Sequence, residues 1–241
     1  MENLSRIKPL GQPPKIWKSI EKVNKDGTIM KFTIQEIPED RYEDAFQHMC
    51  TYFLADEPIC QCLNAKDDSL FLQDMNVIWH LFLEQGLSIA AFVDNPTGKP
   101  IIAGMNVLSV AFKDHKDSIS QYQFKSQNCN TIIGKCDTTI TYDYYGVDKY
   151  LYALGLSVLP IYRGYGLGKD ILKTRDLIGR EYNIPVTATA FTSIPSQKSA
   201  RSVGFELLTT KNFVDMVDEN GKQYFPGIKS KTLEIMGKRF S

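Results

Sequence analysis

The chain has 241 residues, 43% of them hydrophobic, and 28 basic against 28 acidic side chains leave a formal net charge of zero. That length suits one α/β domain with a sizeable core, and the balanced charge argues against nucleic acid as the main partner. No stretch approaches the roughly 18 apolar residues of a membrane span, and no secretory h-region follows Met1, so a cytoplasmic protein is expected.

Residues 1–25 carry Pro9, Pro13 and Pro14 and read as an arm with little regular structure; a single domain is expected over 26–241. Apolar and polar residues alternate over 28–35, after the Asp26-Gly27 turn, which predicts a strand. Pro38-Glu-Asp40 opens a helix on which Tyr42, Ala45, Phe46, Met49 and Phe53 recur at helical spacing. A second helix is expected over 68–85, with Gly86 as its cap. Residues 87–93 and 101–108 make a hairpin around Asn95-Pro-Thr-Gly98. The polar, tyrosine-rich stretch 112–150 reads as loops and helical turns. An apolar strand over 151–158 runs into Leu159-Pro-Ile-Tyr-Arg163, then Gly164-Tyr-Gly166-Leu-Gly168. The glycines open a helix marked by Leu167, Ile171, Leu172, Arg175 and Ile178. Strands follow near 185–191, 205–217 and 232–236, with a short helix over 196–203 ending at Gly204. The pattern is mixed α/β.

The segment from Arg163 to Gly168 carries the chemistry. Alternating glycines leave no Cβ to block a ligand's approach to the backbone. First-turn N–H groups have no intrahelical partner and attract anions with the helix dipole. Arg163 adds a fork of donors suited to phosphate oxygens. No Gly-Lys-Ser/Thr closes the loop, which excludes a Walker A motif, and the glycine spacing fits the dinucleotide pattern poorly. A plain β-to-α turn with a stray arginine is the bland alternative. Strand, proline, arginine and amphipathic helix in register favour a pyrophosphate cradle.

Other candidates rank lower. Cys50, Cys60, Cys62, Cys129 and Cys136 lack paired metal spacing and read as reduced thiols. His48, His80 and His115 are scattered, so no metal site is expected. Tyr142, Tyr144, Tyr145 and Tyr150 are candidates for cation–π contacts in a ligand pocket, with local packing as the commoner role.

Val158-Leu-Pro160-Ile-Tyr-Arg163-Gly164-Tyr-Gly166-Leu-Gly168 resembles the acyl-CoA loop of the GNAT superfamily of N-acetyltransferases. The resemblance implies the GNAT fold, a mixed central β-sheet flanked by helices, and acetyl-CoA as co-substrate without a metal. The donor site expected from it comprises Leu156, Ser157, Val158, Arg163, Gly164, Tyr165, Gly166, Leu167, Gly168 and Lys169. Three further segments narrow the likeness. Thr51-Tyr-Phe-Leu-Ala-Asp-Glu57-Pro58 resembles the F-x-x-x-E-P segment of insect arylalkylamine N-acetyltransferases, the dopamine N-acetyltransferase-like family. The Ser199-Ala-Arg201 run before Gly204-Phe205, and the stretch from Val214 to Pro226, are similar to the same family's later segments.

What the family does is then expected here. Glu57 is the expected general base, because an alkylamine arrives mostly as an ammonium and must lose a proton before it attacks a thioester. Helix capping before Pro58 is its structural alternative. Asp56 is placed to help attract the cationic amine. Ser199 and Ser196 are the expected catalytic serines, as relay or pantetheine-positioning groups, with helix N-capping as their alternative. The tyrosine that many GNAT enzymes use as an acid is missing from 191–205. The reading is acetyl transfer from acetyl-CoA to a small primary amine by direct attack, in a monomer or weak dimer that binds neither nucleic acid nor membrane. Protein lysines or N-termini, polyamines, and non-catalytic acyl-CoA binding are the alternatives.

Overall fold

The computed structural model describes residues 7–9, 11–114 and 122–240; His115 lies outside the described residues. Strands β1 (Ile16–Val23) and β2 (Ile29–Glu36) come first. Helix α1 (Tyr42–His48) continues through a π-type turn at Met49–Phe53 into α2 (Leu54–Asp56) and α3 (Pro58–Cys62). Helix α4 (Ser69–Glu84) precedes β3 (Ile89–Val93) and β4 (Ile101–Phe112). Helices α5 (Gln127–Lys135) and α6 (Ile140–Tyr145) lead to β5 (Lys149–Val158) and α7 (Leu167–Glu181). The chain closes through β6 (Val186–Phe191), α8 (Ile194–Ser202), β7 (Glu206–Asn212) and β8 (Thr232–Arg239).

Among the described residues the strands form one eight-stranded mixed sheet in the order β1-β2-β3-β4-β5-β6-β8-β7. Helices cover both faces, so the central strands are apolar along their length. Against one face α1 and α4 bury Ala45, Met49, Phe71, Ile78, Trp79 and Phe82 with Met105 and Val107 of β4. Against the other, Leu167, Ile171 and Ile178 of α7 pack on Phe32, Ile34, Leu108 and Leu151.

The central feature is a fork. β5 and β6 run parallel but pair only at Leu151–Thr187 and Tyr152–Ala188. Beyond that point β5 stays with β4 and bulges at Leu154–Gly155, opposite Val107, while β6 stays with β8. Gly155 sits on the β5 arm with φ +111°, and a Cβ there would run into Met49 Cε of the π-type turn. Only glycine serves both the left-handed backbone and that close approach.

Three expectations are corrected. The arm over 1–25 holds β1, paired antiparallel to β2 from Ile16–Gln35 to Val23–Ile29. Its lysine-rich alternation is that of an edge strand half-covered by a helix, a pattern the upstream prolines obscured. The stretch 112–150 holds α5, whose start is fixed from a distance. Buried Asp74 on α4 accepts from the amides of Lys125 (2.9 Å) and Ser126 (2.8 Å), and Ser126 caps the helix. The strand expected to reach residue 217 stops at Asn212, where Phe213 turns into the core and Asn212 bonds Asp215 at 2.8 Å.

Candidate active site

The open end of the fork leads into a cleft of about 670 Å³. Residues from the glycine loop, the α2–α3 turn, α5, both fork arms and the start of α8 line it. Every expected site residue among Leu156, Ser157, Val158, Arg163, Gly164, Gly166, Leu167, Gly168, Lys169, Glu57, Ser196 and Ser199 is on that lining. Tyr165 is not. Its hydroxyl instead donates to Asn24 Oδ1 at 2.7 Å, tying the loop to the β1–β2 turn.

The loop is built as an anion cradle. Leu159 N–H donates to Ala103 O at 2.9 Å, and a 3₁₀ turn at Pro160–Tyr162 carries the chain across the mouth. Gly164 (φ +85°) and Gly166 (φ +75°) then hold left-handed backbone, with open space where a side chain would stand on Gly164 and Lys22 Nζ 3.9 Å from that point on Gly166. No amide of residues 164–168 donates a hydrogen bond to another described residue. Five unpartnered N–H groups at the start of a 15-residue helix fit a pyrophosphate. Arg163 donates through Nε to Val158 O at 2.8 Å and through Nη2 to Asp56. Asp56, expected to help attract the amine, is ion-paired with the loop arginine.

Two buried polar groups brace the fork. Arg175 on α7 is 1% exposed. Its Nε donates to Asn106 Oδ1 (2.9 Å), and its Nη1 donates to Thr187 Oγ1 (3.1 Å) and Thr189 Oγ1 (2.8 Å). Asn106 in turn donates to Gly155 O at 2.7 Å, so one guanidinium ties both arms at the vertex. Burial pushes the Arg175 pKa down to about 9, so it remains a cation at neutral pH, and its Nη2 has no partner among the described residues. On the opposite face, His48 Nε2 lies 3.0 Å from Ser157 Oγ. Burial pushes that imidazole down to about 4, against an opposing hydrogen bond to the Ile102 backbone, so it is neutral.

Glu57 stands across the cleft from the loop. Its Oε2 accepts from Cys60 N–H at 2.6 Å as the cap of α3, and its Oε1 accepts from Thr192 Oγ1 at 2.6 Å. The capping reading is thus met by one oxygen, and the other points to the β6–α8 turn. The serines separate. Ser193 is the cap of α8, and Ser196 completes a capping box, with its hydroxyl donating to Ser193 O at 2.8 Å. Ser199 lies within the helix, where it cannot be an N-cap, and it lines the cleft.

The thiols are inert. Burial pushes Cys60 well up, Cys129 to about 12 and Cys50 to about 11, and Cys136 is raised for the same reason. No thiolate nucleophile is available at neutral pH. No cluster of three His, Cys, Asp or Glu able to hold a metal occurs among the described residues. Tyr142 and Tyr150 pack on each other at 4.9 Å, and the cleft is lined instead by Tyr52, Tyr152 and Tyr162.

Sequence reasoning missed the brace and the partners of Glu57. Arg175 did carry a signal, as a lone cation on the buried helical face of Ile171, Leu172 and Ile178. Thr192, Ser193 and Asn106 carried none, because only the tertiary fold brings them to the site.

No protein-family model matches the chain, and no curated protein matches it. Solved structures do. A structure named as insect arylalkylamine N-acetyltransferase 7, from the yellow fever mosquito Aedes aegypti, is 32% identical, covers 97% of this chain and 98% of that one, and superposes with a TM-score of 0.86. Arylalkylamine N-acetyltransferase 2 from the same mosquito is 24% identical over 87% of this chain and 99% of that one, with a TM-score of 0.73. A polyamine N-acetyltransferase of Drosophila melanogaster shares the fold at 15% identity, over 86% of this chain and 99% of that one, with a TM-score of 0.70.

Proposed function

Because the chain belongs to the insect arylalkylamine N-acetyltransferase family, we propose that it transfers an acetyl group from acetyl-CoA to the primary amine of a small arylalkylamine. It is an enzyme of the N-acetyltransferase type, with the GNAT fold. The observation that carries the finer reading is that one cleft is lined by both an anion cradle and a carboxylate. The cradle amides of residues 164–168 and the Arg163 guanidinium are the groups that would hold the CoA pyrophosphate. Acetyl-CoA would supply an acetyl carbon activated as a thioester, whose C–S bond breaks as the new C–N bond forms; the CoA sulfur leaves as a thiolate, which a thiol reference pKa of about 8.5 permits, and takes a proton from solvent.

The remaining steps belong to the chain's own residues. An alkylamine with a pKa near 10.4 enters mostly protonated. Glu57 Oε1 gives up Thr192 Oγ1 and takes the proton from the ammonium, which leaves a lone pair for direct attack. Oε2 meanwhile keeps the Cys60 amide, so the carboxylate stays oriented. Of the amides near Ser157–Leu159, that of Leu159 is held by Ala103 O of β4, and Val158, one position away in the antiparallel ladder, turns its N–H to the open side of the β5 arm as the donor toward the acetyl oxygen. Ser196 holds the start of α8 through the capping box, and Ser199, one turn along, positions the donor arm. Burial raises the thiol pKa values instead of activating them, which supports direct attack over an acyl-enzyme on cysteine.

The test is a screen of arylalkylamines, polyamines and lysine peptides with acetyl-CoA, read by release of free thiol. Saturable release with an arylalkylamine is expected. Release with peptides alone, or with none of the amines, overturns the reading.

A further inference from the structure

The edge strand β1 ends against the glycine loop, and its side chains there are cationic. Lys18, Ile20 and Lys22 share one face of the strand, as residues two apart must. That face is half-covered by α7, which begins in the loop. Lys22 Nζ lies 2.6 Å from Asp170 Oδ2 and Lys18 Nζ 4.0 Å from Asp170 Oδ1. Asp170 is the acid in the first turn of α7. The same Lys22 Nζ stands 3.9 Å from the point where a Cβ on Gly166 would be, so it overhangs the cradle itself. The strand end is held there. Tyr165 Oη donates to Asn24 Oδ1, Asn24 N–H donates to Thr28 O at 2.8 Å, and Gly27 N–H donates to Asn24 O at 3.0 Å.

The charge arrangement needs a reason. An aspartate in the first turn favours the helix dipole, but it opposes a pyrophosphate bound to the same turn. Two lysines against one carboxylate leave the cradle positive. Lys22 is the nearer of the two to the loop, and its side chain is 24% exposed, partly screened from salt. Of the other side-chain cations at the loop, Arg163 is paired with Asp56, and Lys169 lines the cleft.

We propose that β1 is part of the acyl-CoA site, with Lys22 as the side-chain cation that meets the pyrophosphate over Gly166 and Lys18 holding Asp170 behind it. This rests on the reading of the loop as an acyl-CoA cradle, and it adds to that cradle a strand from outside the loop.

Calorimetric titration of CoA and of 3′-dephospho-CoA into the wild type, Lys22→Gln and Lys22→Arg tests it. Binding of CoA by the wild type is the control for the parent reading; its absence sinks that reading and this one with it, whereas the variant outcomes bear on β1 alone. Given wild-type binding, Lys22→Gln is expected to weaken both ligands about tenfold and to flatten the salt dependence of the affinity. Lys22→Arg is expected to restore most of it. A loss seen with CoA but not with 3′-dephospho-CoA overturns the pyrophosphate assignment, because the lysine then serves the 3′-phosphate. Unchanged affinity in Lys22→Gln, or a loss that arginine fails to restore, overturns the role of β1 altogether. Thermal melting of the unliganded variants checks that the edge strand stays folded.

Discussion

The two walls of the cleft are made in different ways. The donor wall is one run of chain, in which the end of β5, the 3₁₀ turn, Arg163 and the glycines follow each other into α7. The acceptor wall is gathered from α2, α3, α5 and the β6–α8 turn, so Glu57 meets Thr192 across 135 positions of sequence. A contiguous wall presents backbone donors at fixed spacing, which suits a ligand fragment that never varies. A gathered wall presents side chains from elements that vary independently, which suits a variable amine. The division implies that damage to the two walls has different kinetic signatures.

The largest effect expected is on the acceptor wall. Glu57→Gln keeps an acceptor for the Cys60 amide and removes the base. Steady-state assays should show kcat/KM reduced by about 10²–10⁴-fold, most at lower pH where less free amine exists, while calorimetry shows CoA affinity intact. A parallel loss of CoA affinity would break the division between the walls. On the donor wall, Gly166→Val forces a β-branched residue to φ +75° and fills the cradle. CoA affinity should fall about 10- to 100-fold with the fold retained. Normal affinity would refute the cradle.

His48 on α1 backs the donor wall from outside the cleft through Ser157 of β5, and sharpens the comparison through pH. Its folded pKa of about 4 lies below the ordinary value because of burial. The unfolded chain therefore takes up a proton first as pH falls below about 6.5. Stability is full above that pH and is lost as pH drops toward 4, by up to about 3 kcal/mol. Denaturant midpoints measured from pH 7 to 4 should fall in the wild type and fall less in His48→Gln. The smallest effect is expected where the walls touch. Asp56→Asn frees Arg163 from a half-exposed ion pair, and CoA affinity should rise about two- to fivefold. A fall would mean that Asp56 orients Arg163 for the donor.

The legibility of the site follows the same division. Residues 151–168 could be read in register because strand, turn and helix are neighbours in sequence, and every residue named there for the donor except Tyr165 lines the cleft. The helices and the central strands were also legible, since amphipathic spacing and apolar runs are local properties. Strand β1 was not, because an edge strand with two lysines and a glutamate among its eight residues has no apolar run. Helix α5 was not, because its start depends on Asp74, some 50 positions upstream. The brace at Arg175 was written as a charged residue on an apolar face, but its partners Asn106, Thr187 and Thr189 converge only once β4, β6 and α7 have packed. Glu57 was identified through a family likeness, and its two hydrogen bonds became visible only in the fold.

The most direct test of the central claim is a crystal structure of the chain with CoA bound. The account predicts the pyrophosphate within hydrogen-bond reach of the amides of residues 164–168. Phosphates bound away from that loop, with those five amides still unpartnered, would contradict it.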